Sequence, residues 1–275
     1  MVAVLKEKNL QKSILKCQMD MDEPEYTEFL KGKSGYFSRR SPDKETPNED
    51  SLALFPFDRQ SGVLVIADGL GGQPGGAVAS KLAIECLETA LRNAIDKEES
   101  LRDAILNAFE MANQQIIALG TGSATTLSIV EINKDIIRPY HVGDSVILLT
   151  GQRGKIKFQS VPHSPVGYAV ESGILDVNDA VHHEQRHLIS NAVGTKDMRI
   201  EIGPEVKMSA RDTLLIASDG LFDNLYEDEI VSAIRVGKID KVCNKLLDLA
   251  DQRMRDRESE LPSKPDDLSY LVFRL

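Results

Sequence analysis

Three cysteines, Cys17, Cys86 and Cys243, are all that this 275-residue chain contains, and no two stand in CxxC spacing. An odd, scattered set excludes a disulfide framework and a thiolate zinc site, and reads as packed, reduced thiols. No run approaches the roughly 18 apolar residues of a membrane span, and the first residues lack the apolar core of a secretion signal. Both absences lead us to expect a cytoplasmic protein without membrane contact. Positive charge is also short: 33 Lys and Arg face 43 Asp and Glu, a formal net charge of −10. With no basic stripe, non-specific nucleic-acid binding is excluded. Internal repeats, low-complexity tracts and a clear linker are missing as well. The remainder, 41% hydrophobic and 28% charged, is ordinary for a globular chain.

One stretch organises what is present. Val63-Leu-Val-Ile-Ala-Asp68-Gly69-Leu-Gly71-Gly72 is an apolar run that delivers a carboxylate into a glycine turn. Such a run reads as a buried strand, and glycine permits the sharp turn that follows. Leu214-Leu-Ile-Ala-Ser-Asp219-Gly220 repeats the design. Two further segments put the acids first: Asn48-Glu49-Asp50 before Ser51–Phe55, and Asp266-Asp267 before Leu268–Phe273. If neighbouring strands run antiparallel, two strand ends and two strand starts meet on one rim. Glu49, Asp50, Asp68, Asp219 and Asp266 would then gather with few cations beside them. Carboxylate and carbonyl oxygens suit a hard divalent cation. Taken singly, each acid could equally be turn punctuation; four segments together point to a site.

Around these segments the spacing predicts helices over Gly75–Leu91 and Ser100–Leu119, the second with a serine N-cap. Strands are expected over 124–132, 135–142, 145–150 and 155–158, joined as an antiparallel meander. Short helices near Gly167–Gly173 and Asn178 precede helices over Glu227–Val236 and Asp240–Met254. Strands and helices that come in pairs indicate an α+β sandwich of sheets flanked by helices. Residues 1–35 read as an N-terminal extension, with a short helix or an edge strand within Val2–Cys17; residues 36–275 read as one domain. The glycine run 69–76 fails as a dinucleotide loop at Pro74 and lacks the Gly-Lys-Ser/Thr of a P-loop.

In order along the chain stand Asn48-Glu49-Asp50, Ala67-Asp68-Gly69-Leu-Gly71-Gly72, Gly122-Ser123-Ala-Thr125-Thr126, Gly143-Asp144-Ser145, Ser218-Asp219-Gly220-Leu-Phe-Asp223 and Asp266-Asp267-Leu-Ser269. This series resembles the PPM (type 2C) metal-dependent serine/threonine protein phosphatases. His163-Ser164, Glu171-Ser-Gly173-Ile and Asn191-Ala-Val-Gly194 match the bacterial pattern. The resemblance implies a four-layer α-β-β-α sandwich of two antiparallel sheets flanked by helix pairs. It implies two Mn²⁺ or Mg²⁺ ions: Asp68 bridging both, the Gly69 carbonyl on one, and Asp219 and Asp266 on the other. Glu49 and Asp50 would hold metal-bound waters, and Asp144 a third, weaker ion. Phosphoserine and phosphothreonine in proteins would be hydrolysed by metal-activated water. Phosphoprotein substrates, a Ser/Thr kinase acting on the same targets, and a monomer are implied too. Leu70 matches bacterial members, so leaving-group protonation would fall to water.

Two positions depart from the family. Glu45 stands where many members carry a phosphate-gripping arginine, and a carboxylate does not replace a bidentate guanidinium. Lys44, Arg39 and Arg40 are the candidates to take over. Val146 stands where arginine is common. The Glu45 departure also supports a competing reading, a weakly active or non-catalytic phospho-binding module on the same fold. His141, His163, His182, His183 and His187 have no ligand spacing that joins the acids and are expected in structural or surface roles.

Overall fold

A computed structural model of the chain describes residues 11–42, 44–70, 75–256 and 260–275. Its first sheet is built from β1 (Ile14–Cys17), β4 (Asp50–Pro56), β5 (Ser61–Leu70), β7 (Leu127–Asn133), β8 (Ile136–Val142) and β11 (Glu201–Ile202), in the order β1-β4-β5-β7-β8-β11. The short β6 (Ala124–Thr125) and β12 (Val206–Lys207) attach to β5 and β8. The second sheet runs β10 (Ile156–Gln159), β9 (Val146–Thr150), β13 (Thr213–Ala217), β14 (Leu268–Arg274), β3 (Gly32–Arg39), β2 (Glu25–Phe29). Every pairing within the two sheets is antiparallel.

The two faces of the first sheet follow from the period-2 alternation of strand side chains. Val63, Val65 and Ala67 pack with α1 (Gly75–Lys97) and α2 (Leu101–Ala118) in one apolar cluster. Leu64 and Ile66 of the same strand, with Leu52 and Leu54 of β4, face the second sheet. That sheet is covered on its outer face by α6 (Glu227–Ile234) and α7 (Ile239–Arg255). The order of layers is therefore α-β-β-α, as the resemblance implied. Three shorter helices complete the set: α3 (Pro165–Glu171), α4 (Val177–Ala180) and α5 (Asp219–Phe222). Ser100 caps α2 through a bond accepted from the Asp103 amide.

Two expectations need correcting. The meander is broken at Gly143-Asp144: β8 lies in the first sheet and β9 in the second, so these residues form a crossover between sheets, not a hairpin turn. Hydropathy alternation fixes which face a residue presents, but not which sheet accepts its strand. Residues 14–39 are also no appendage. β1 is an edge strand on β4, and β3 is paired along β14 from Lys33 to Arg39. The expected divide between residues 35 and 36 thus falls inside a central strand. Residues 1–10, Asp43, and the turn over Gly71, Gly72 and Pro74 lie outside the described residues.

Candidate metal centre

The register that builds the sandwich also builds the site. Asp50 and Asp68 are directly opposite each other on β4 and β5. Both continue the alternation of Leu52, Leu54, Leu64 and Ile66, so both point between the sheets at one rim. In the second sheet, Ala217 and Tyr270 are paired, which places Asp219 beyond one strand end and Asp266 before the neighbouring strand start. The rim expected from strand ends alone is therefore formed. Asp144 joins it from the sheet crossover, and its burial is nearly complete.

Like charges so placed repel, and burial adds to the cost of ionising them. Burial foremost, then the charge of Asp267, raises the Asp50 carboxyl well above the usual range. Asp68 is raised by burial and by Asp50, Asp219, Asp266 and Asp144. Asp144 is raised by burial and by Asp219 and Asp223. Burial and Asp219 push Asp266 up to about 7 and Asp223 up to about 6. Two lysines answer this charge. Lys264 Nζ lies 2.7 Å from Asp219, 2.7 Å from Asp223 and 3.4 Å from Asp266. Burial opposes its charge, but these carboxylates win and its pKa is raised. Lys44 Nζ donates to Glu49 and Asp267, each at 2.6 Å.

Whether these residues suit divalent ions can be judged from what remains unpaired. Among the described residues, Glu49 Oε1, Asp50 Oδ1 and Asp144 Oδ1 are buried side-chain oxygens without a hydrogen-bond partner. A buried carboxylate oxygen left so costs roughly 1–3 kcal/mol or more, unless a cation or its water shell is there. Backbone approach also keeps room open. A Cβ on Gly76 would stand 2.3 Å from Glu49 Oε1 and 2.8 Å from the Gly69 carbonyl oxygen. Oxygen donors alone, several of them carboxylates, are the set that Mn²⁺ and Mg²⁺ accept. The residues fit.

Beneath the rim a hydroxyl network fixes the acids. Ser218 Oγ donates to Asp50 Oδ2 at 2.9 Å and accepts from the Ser269 amide at 3.0 Å. The Asp68 amide donates to Thr126 Oγ1 at 2.9 Å, and Thr126 Oγ1 contacts Ser145 Oγ at 2.8 Å. Asp267, buried, accepts from the amides of Ser41 and Glu49 and so shapes the loop between them.

Of the basic candidates, Lys44 alone reaches the rim. Arg39 pairs with Asp251 and lies 5.4 Å over the Phe37 ring; Arg40 pairs with Asp20 at 3.0 Å. Glu45 is exposed. Lys264 and Asp223 were not singled out from sequence for these roles, nor was the loop-shaping role of Asp267. The basic residue two positions before Asp266 was the available signal for Lys264.

The histidine pair has its own chemistry. His141 and His163 stack with centroids 4.4 Å apart, and Glu201 joins them in a cluster of possible ligand atoms. The Gly143 amide, however, donates to His163 Nδ1 at 3.0 Å. Nδ1 is therefore unprotonated, and Nε2 carries the hydrogen facing Glu201 at 3.1 Å. In that tautomer Nε2 of His163 faces Glu201 as a hydrogen-bond donor and offers no lone pair to an ion.

The model for protein phosphatase 2C matches residues 39–256. The chain belongs to the protein phosphatase 2C family. Protein phosphatase PhpP of Streptococcus pneumoniae is 32% identical over 197 residues, covering 68% of this chain and 78% of its own. The solved serine/threonine phosphatase of S. agalactiae superposes with a TM-score of 0.73 at 24% identity, covering 89% of this chain and 99% of its own. A second solved structure, the catalytic domain of the phosphatase PstP in complex with two manganese ions, gives a TM-score of 0.65 at 23% identity over 96% of this chain and 99% of its own. The activity of this family member is that of a protein serine/threonine phosphatase, a metal-dependent phosphoric monoester hydrolase. Nothing in these likenesses favours the binding-module reading.

Proposed function

We propose that Asp68, the Gly69 carbonyl, Asp219 and Asp266 hold two Mn²⁺ or Mg²⁺ ions, with Asp144 contributing to a third, weaker one. The observation that carries this reading is the buried rim of acids with three unpartnered carboxylate oxygens. The two manganese ions in the PstP complex support the count. When bound, such ions supply Lewis acidity, neutralise phosphate charge and lower the pKa of water.

The chain's own residues then have separable tasks. Asp50 Oδ1 and Glu49 Oε1 are free acceptors at the rim and orient the O–H groups of attacking water. Lys44 spends two of its three N–H donors on Glu49 and Asp267, and the third is available to a substrate phosphate oxygen. That assignment replaces the arginine lost at Glu45. It gives a point charge without the fork geometry of guanidinium, so phosphate affinity is modest. Lys264 must yield Asp219 and Asp266 for a second ion to take them. The family resemblance supports a cytoplasmic monomer acting on phosphoproteins, in balance with a Ser/Thr kinase. Among the described residues no helix is long and apolar enough to cross a membrane.

Hydrolysis of p-nitrophenyl phosphate and of a phosphothreonine peptide, with and without millimolar Mn²⁺, tests the assignment. Metal-dependent turnover should fall at least about 100-fold in Asp219→Asn, a loss on the scale of removing a key electrostatic group. In Lys44→Ala the peptide KM should rise with little change in kcat. Full activity in Asp219→Asn would show that the acids have been misassigned.

A further inference from the structure

Lys264 stands two residues before Asp266, and its backbone is clamped on both sides. The Asn224 side chain, fully buried, accepts from the Lys264 amide at 2.7 Å and donates to the Lys264 carbonyl at 2.7 Å. The same side chain donates to the Gly220 carbonyl at 2.9 Å, which ties Lys264 to the residue after Asp219. Pro265 biases Lys264 toward extended backbone, and Ser263 Oγ donates to the Arg253 carbonyl at 2.8 Å. A lysine so anchored gives up little further freedom when its side chain is ordered.

The ammonium then meets acids only. It has three N–H donors. Nζ lies 2.7 Å from Asp219 Oδ2, 2.7 Å from Asp223 Oδ2 and 3.4 Å from Asp266 Oδ2, so each donor faces one carboxylate. Lys44 meets two carboxylates and keeps a donor over; Lys264 has none left for a phosphate oxygen. Two of its three partners, Asp219 and Asp266, are the ligands proposed for one ion. We propose that Lys264 is a tethered cation that competes with that ion for Asp219 and Asp266, so that metal enters by exchange and Lys264 withdraws to Asp223. This assignment rests on the ligand set proposed above and adds what sets the affinity of its ion.

Distance makes the two cations exclusive. An ion bonded to Asp219 Oδ2 at about 2.1 Å would stand within about 5 Å of an ammonium 2.7 Å from the same oxygen. Like charges so close repel, and water screens them poorly where the Lys264 side chain is only 22% exposed. Asp223 lies outside the proposed ligand set, so a displaced ammonium keeps a partner and no largely buried carboxylate is left unanswered. Exchange has two faces. Without metal the lysine offsets repulsion among the acids; with metal it opposes binding.

Titration calorimetry with Mn²⁺ on the full chain is the test, beside Lys264→Met, which keeps the reach of the side chain and deletes its charge. Lys264→Met should bind one Mn²⁺ about 10- to 100-fold more tightly than the wild type, the scale of one or two charge-assisted hydrogen bonds. In EDTA the same variant should melt below the wild type, and Mn²⁺ should raise its Tm by more. Lys44→Met controls for charge in general, because it removes a cation whose partners are Glu49 and Asp267. Its Mn²⁺ affinity should change much less. Equal tightening in both variants would overturn competition in favour of net charge alone. Unchanged or weaker binding in Lys264→Met, beside normal binding by the wild type, would overturn the proposal and leave Lys264 a support for the start of β14. Should Lys264→Met not fold in EDTA, Lys264→Gln is titrated instead and the same signs decide. Absence of Mn²⁺ binding in wild type and variants alike would strike the ligand assignment itself.

Discussion

His141 is a buried base that makes the fold sensitive to acid at one defined point. It is buried against His163, donates through Nε2 to the Val161 carbonyl at 3.0 Å, and has Glu201 nearby. Burial first, then the charge of His163, holds its pKa below the ordinary 6.5. A depressed base binds fewer protons folded than unfolded, so its contribution is complete above about 6.5 and is lost as pH falls below it. The raised carboxyls of the rim act in the opposite sense, because they take up protons first in the folded chain, so the contribution of His141 is read as a difference between two proteins. Below pH 6.5 the Tm of the wild type should fall relative to that of His141→Gln, whose amide can keep the bond to Val161. Identical profiles for the two proteins would show that His141 titrates equally in both states.

At the scale of elements, the crossover from β8 to β9 is the segment with least tolerance. Gly143 has φ +107°, and a Cβ there would stand 2.5 Å from Thr126 Cβ, the side chain whose hydroxyl holds the Asp68 amide. Gly143→Ala should lower stability by about 1–3 kcal/mol through backbone strain and crowding. Because Asp144 is the next residue, the same substitution should weaken Mn²⁺ binding by calorimetry. Unchanged metal affinity would mean that the crossover does not govern Asp144. This element was also one of two that sequence alone misread. The helices were legible because their apolar period and the Ser100 cap are local signals, and Asp68 and Asp219 were legible because each ends an apolar run. What joins β9 to β13, or carries Lys264 onto Asp219 and Asp223, is separated by tens of residues and leaves no periodic trace. β3 was hidden for a related reason. Gly32, Ser34, Gly35 and Ser38 make it look like a loop, yet it is central, and its small residues let α7 and β14 approach closely.

For the whole molecule, metal binding and folding should be linked. The rim holds more carboxylates than its two lysines can neutralise, and ligands that bind only the folded chain stabilise it by mass action. At a hundredfold excess of Mn²⁺ over its Kd the gain is about 2.7 kcal/mol per site. For a chain of this size that corresponds to a rise in Tm of about 5–10 °C over the chelator-treated protein. Scanning calorimetry with EDTA and with Mn²⁺ measures it directly; coincident transitions would mean that the acids bind no ion in the folded state.

The acids come from both sheets: Asp50 and Asp68 from the first, Asp219 and Asp266 from the ends of β13 and β14 in the second. An ion held among them would be a rivet through the sandwich, and bond lengths of about 2.0–2.1 Å for magnesium would tolerate little play. On the proposed ligand set, the spacing of the two sheets would thus also be the calibration of the catalyst. A methylene added or removed in the layer between them, far from any substrate, would be felt first as a change in metal affinity.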